Sequence, residues 1–164
     1  MNASNTPRGG GSGFNRSNEQ ATGGRSSKEN EVVTEAMKAV AAKLRFGDVR
    51  PAGELFDTWA ADVAGELNRA RDKFNKSSQI RRFYDELVGW QERIKGDQAS
   101  FEQYEAFIRM LNAKVAYAKG RELVDATFEH WFRTCVGATK SAVGLDHFRL
   151  HFEAVIGFLK ALRG

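Results

Sequence analysis

After Pro51 this 164-residue sequence contains no proline, and before it only Pro7. Proline removes a backbone donor and clashes with the preceding helical turn, so its absence leaves the whole later stretch open to unbroken helices. Apolar residues fill that stretch at helical rather than strand spacing. From Glu29, Val33, Met37, Val40 and Leu44 share one face, with Gly47 and Pro51 ending the segment. Phe56, Trp59, Val63, Leu67, Ala70 and Phe74 make a second stripe over about 53–75. Ile80, Phe83, Leu87, Trp90 and Ile94 make a third, with Ser77 or Ser78 as its cap and Gly96–Asp97 as its break. Phe101, Tyr104, Ile108, Leu111 and Val115 make a fourth, opened by a Ser100–Gln103 capping box and stopped or kinked at Gly120. A fifth helix is predicted over about 122–139, with Val124, Phe128, Trp131 and Cys135 inward. Gly144 separates it from a sixth, capped by Asp146 and carrying Phe148, Phe152, Val155, Leu159 and Leu162. The expected fold is all-α, a compact bundle of five to six helices, the segment at 29–46 being the extra one.

Residues 1–28 read differently. Gly9, Gly10, Gly11, Gly13, Gly23 and Gly24 alternate with Ser, Asn and Thr, a composition that cannot bury enough surface to offset backbone entropy. A disordered tail over 1–28 and a helical domain over 29–164 are expected. Hydrophobic residues are 41% of the chain, with 12 Phe and 3 Trp, enough for a real core. The net charge of +4 permits an anionic partner without demanding one. The tail carries +3 of that charge, so any nucleic-acid site in the helical part must come from local sorting of cations. The single cysteine, Cys135, excludes an internal disulfide framework and fits a reducing cytoplasm. No membrane-spanning run and no secretory signal are expected.

Enzyme motifs are absent: no phosphate-binding glycine loop, no zinc-type cysteine pairing, no nucleophile elbow. His147 and His151 share a helix face, but only His130 could add a ligand, so two solvent-facing or partly packed histidines are expected and no metal or other cofactor. Asp85 and Glu86 follow Arg81 and Arg82 by four residues, the spacing of ordinary helix ion pairs rather than of an acid/base dyad.

The cations carry more information. Arg82 falls opposite the apolar stripe of its helix and Arg81 on its flank, with Lys73 and Lys76 just upstream at a helix N-terminus, a place that attracts phosphate. Met110, Lys114, Tyr117 and Arg121 recur along one side of the fourth helix, and Lys119 flanks them. Cations with an aromatic are the usual equipment for binding a nucleic-acid strand.

Three blocks resemble a known family. They are Ser77-Ser78-Gln79-Ile80-Arg81-Arg82-Phe83-Tyr84-Asp85-Glu86, then Ala113-Lys114-Val115-Ala116-Tyr117-Ala118-Lys119, then Phe148 to Lys160. In order and spacing they look like the small subunit of the type III-A CRISPR effector, the Csm complex, over roughly residues 53–163. The resemblance implies a helical, non-catalytic subunit in antiviral defence. It also implies that copies of the chain stack in a filament, contact other effector subunits and line the channel holding guide RNA and target RNA. Carried over by position, Arg81, Arg82, Lys114 and Lys119 would touch RNA backbone, and Gln79 could donate to phosphate or a 2′-hydroxyl. Lys76, Tyr117 and Arg121 join that set on helix geometry and proximity alone. The alternative is a structural helical adaptor that bridges protein subunits, its cations paired with acidic partners. A nuclease or RNA-modifying enzyme has no motif to support it.

Overall fold

The computed structural model describes residues 32–70 and 73–164, and among these residues it has seven α-helices and one 3-10 turn. The helices are α1 (Glu35–Ala41), α2 (Thr58–Asn68), α3 (Ser77–Ile94), α4 (Gln98–Arg109), α5 (Leu111–Gly120), α6 (Ala126–Ala138) and α7 (Ala142–Arg163), with the 3-10 turn at Gly53–Phe56. No strand occurs among the described residues, and the expected all-α bundle is what the chain forms. The tail expected at 1–28 and the first residues of the helix expected from Glu29 lie outside the described residues.

The core sits where α6 and α7 bring their aromatic faces together. Phe128, Trp131, Phe132, Phe148 and Phe152 are all completely buried. Trp131 meets Phe152 edge to face at 4.9 Å, and Phe128 stacks on Phe132 at 5.8 Å. Such pairs add to the burial itself, and truncating one of these rings to alanine costs about 3–5 kcal/mol. Helix α7, the longest among the described residues, also packs along α2 and α3, so one element ties both halves of the described chain together.

Several expected helix boundaries are corrected. The expected fourth helix is two, because its halves have different partners: α4 packs on α3, and α5 packs on α6. The bend falls at Met110, which ends α4 and begins α5 in helical conformation. The capping box at Ser100–Gln103 is not used. Asp97, three residues ahead, accepts from the Ser100 N–H at 2.9 Å and from its hydroxyl at 2.6 Å, holding the Asp97 carboxyl below its usual range. Helix α7 starts at Ala142, capped by Ser141 on the Gly144 N–H at 2.9 Å, so neither Asp146 nor Gly144 marks its start. Asp146 instead accepts from Gln91 at 3.0 Å. Gly144 is buried, and a Cβ added there would sit 3.6 Å from the Phe46 backbone. The loop is held in place by Gly47, whose N–H donates to His147 Nδ1 at 3.0 Å.

The expected second helix stops at Asn68, and α3 begins after Lys76 with no side-chain cap from Ser77 or Ser78. The turn between them ends on Asn75, in left-handed conformation (φ +51°) and completely buried. Asparagine is among the few residues that tolerate this conformation. Its amide donates to Asp125 Oδ1 at 2.9 Å and accepts from the Asp125 N–H at 3.0 Å. Its carbonyl accepts from Arg163 at 2.9 Å. Every polar group of Asn75 is thereby paired, and the start of α3 is locked to the start of α6 and the end of α7.

Candidate nucleic-acid interface

Helix α3 owes its position to its apolar stripe: Ile80, Phe83, Leu87 and Ile94 are buried, and Trp90 is half-buried. That placement turns Gln79, Arg82 and Glu86 toward α5. The two helices stand apart there, and side chains span the gap. The result is an open groove of about 430 Å³ with Gln79, Arg82 and Glu86 on one side and Lys114 and Tyr117 on the other. Its floor is apolar, made by Phe83, Ala118 and Leu123, with Met110 at one edge.

The expected pairing of Arg82 with Glu86 does not form. Glu86 Oε2 accepts from Lys114 Nζ at 2.7 Å across the groove. Arg82 is exposed and makes no ion pair among the described residues. Arg81, by contrast, donates to Asp85 at 2.7 Å and lies over the Tyr84 ring at 5.3 Å. Tyr117 is 65% exposed, and its hydroxyl accepts from Arg121 at 3.0 Å. That hydrogen bond raises the Arg121 pKa further.

The eight sequence-predicted residues thus divide. Gln79, Arg82, Lys114 and Tyr117 line one groove, with Arg121 attached to Tyr117. Arg81 faces a separate recess beside the end of α7, with Ile156 and Arg163. Lys119 lies on the opposite flank of α5 and pairs with Glu129 at 3.5 Å. Lys76 is exposed one residue before α3 and lines none of these recesses. The apolar floor and the role of Glu86 were missed. Both depend on which face of α5 lies opposite α3, and no spacing within either helix reports that.

The histidines need correction. His147 is half-buried, as a partly packed side chain, but His151 is completely buried. His151 Nε2 accepts from the Trp131 indole N–H at 3.1 Å, so Nδ1 carries the proton toward the Leu55 carbonyl 2.6 Å away. Burial lowers its pKa to about 4. Cys135 is buried among the aromatics, and burial pushes its thiol pKa up, away from reactivity. Among the described residues no group of three His, Cys, Asp or Glu side chains is placed to hold a metal ion.

A protein-family model for Csm2 Type III-A matches residues 50–164. The chain belongs to the Csm2 Type III-A family. It is thereby a small subunit of the type III-A Csm complex, a structural subunit that associates with the complex's other subunits. The match takes in the α3–α5 groove and every one of the eight candidate residues, while α1 lies outside it. No curated protein sequence and no solved structure matches the chain. Among the described residues no helix is long and apolar enough to cross a membrane.

Proposed function

We propose that the α3–α5 groove is where this Csm2-family subunit contacts RNA backbone as a non-catalytic lining of the guide/target channel. The observation that carries the reading is Arg82: exposed, without an ion-pair partner among the described residues, and on the rim of a groove shared with Gln79, Lys114 and Tyr117. A guanidinium free of carboxylates is available to phosphate. Lys114 contributes less, because Glu86 already neutralises it. Arg81 and Lys119, engaged with Asp85 and Glu129, are secondary. Several copies stacked in a filament would sum individually weak contacts into useful affinity, and pairing with the guide would supply sequence specificity.

The test is Arg82→Glu in the assembled complex, with Arg81→Glu for comparison. Arg82→Glu is expected to weaken target-RNA binding and to lower the salt dependence by about 0.7–0.9 for each phosphate that is no longer neutralised. Arg81→Glu should do little. Affinity and salt slope both unchanged in Arg82→Glu would exclude the groove. The adaptor reading retains one supporting observation: Phe107 is 51% exposed and stacks on Trp90 at 5.8 Å, an apolar surface suited to another subunit. A complex whose RNA never crosslinks to this chain would favour it.

A further inference from the structure

Backbone contact explains the rim of the α3–α5 groove but not its interior. A phosphate gains nothing from a floor of Phe83, Ala118 and Leu123, and Glu86 in the wall would repel it. The pairing of Glu86 with Lys114 uses only Oε2 and leaves Oε1 without a partner among the described residues. A flat, largely apolar ligand that carries an amino donor at its edge fits all three features. An unpaired nucleobase has that chemistry. Its face would lie on the apolar floor beside Tyr117, and its exocyclic amine would donate to Glu86. Its phosphate would reach Arg82 on the rim.

We infer that the groove seats an unpaired nucleobase of single-stranded RNA, with Glu86 as the acceptor for its amino group. The inference rests on the reading that this groove meets RNA, and it names what the groove holds. A carboxylate accepts from the cytosine amine, and the Gln79 amide can pair with an adenine edge, whereas uracil offers no amino donor. The groove, at about 430 Å³, lies in the range of small-ligand sites, roughly 300–1,000 Å³. Aromatic contact with a base is sequence-tolerant, so the seat would accept any base while favouring the amino-bearing cytosine, adenine and guanine over uracil.

The experiment titrates the full chain with short single-stranded RNAs and follows the backbone resonances lining the groove by NMR. The probes are an oligocytidine, an oligouridine and an abasic oligoribonucleotide of equal length and charge. Oligocytidine is expected to bind about ten-fold more tightly than the abasic strand and roughly five-fold more tightly than oligouridine. Glu86→Gln should narrow the cytidine-to-uridine ratio, and Arg82→Glu should weaken all three strands alike. Equal binding of the abasic strand and oligocytidine, still weakened by Arg82→Glu, would overturn the base seat and leave the backbone contact standing. Groove resonances unmoved by every strand would overturn both, leaving the groove to an apolar side chain of another subunit. The comparison of strands needs only the unsubstituted chain, so it holds even if a variant is poorly folded.

Discussion

His151 is surrounded by core side chains and bonded at both ring nitrogens, and its neutrality is a condition of the fold. Burial lowers its pKa from the ordinary 6.5 to about 4. Between those values the unfolded chain binds the proton and the folded chain does not. Stability is therefore complete above pH 6.5 and falls away as the pH drops toward 4, by on the order of 3 kcal/mol. Urea unfolding at pH 7 and pH 4 measures this, and His151→Asn should flatten the dependence by about that amount. Identical pH slopes in the two proteins would show that His151 does not titrate as described. Helical spacing puts His151 one turn from His147 and says no more. The partners that decide its state, Trp131 and Leu55, are 20 and 96 residues away.

The helices themselves were largely legible, since an apolar stripe at helical spacing has one stable outcome in a bundle. Of the third stripe, Ile80, Phe83, Leu87 and Ile94 are buried as expected. Their ends were less legible, because several Ser and Asp residues compete for each cap and packing selects among them. At α7 Ser141 caps the Gly144 N–H, while Asp146 lies inside the helix and accepts from Gln91. Ser141→Ala should accordingly cost about 1 kcal/mol in thermal or chemical unfolding. Ser78→Ala, at a position that caps nothing, should stay within about 0.5 kcal/mol. Equal destabilisation by the two would restore the cap to α3. The split at Met110 belongs with these cases: α4 packs mainly on α3, and α5 on α6.

Asn75 joins three separate parts of the chain, and its removal should be felt as lower stability of the whole bundle. Asn75→Ala removes one of the two donors to Asp125 Oδ1, leaves the buried Asp125 N–H without its acceptor and holds a residue with a Cβ but no polar side chain at φ +51°, at a combined cost of about 2–4 kcal/mol. Asn75→Gly removes the same hydrogen bonds but relieves the backbone, so it should cost about 1 kcal/mol less. Denaturant midpoints of the two variants separate the contributions, and no advantage for glycine would refute the backbone share. The all-helical class and the core faces are written in local spacing, because side chains three and four residues apart must share a helix face wherever the helix lies. The groove is different in kind. Lys114 meets Glu86 rather than leaving Arg82 to it because α5 bends away from α4 at Met110 and stands across from α3. That relation between distant segments is set by packing on α6, and it is what separates Arg82 from Arg81, two neighbours in the chain with different surroundings.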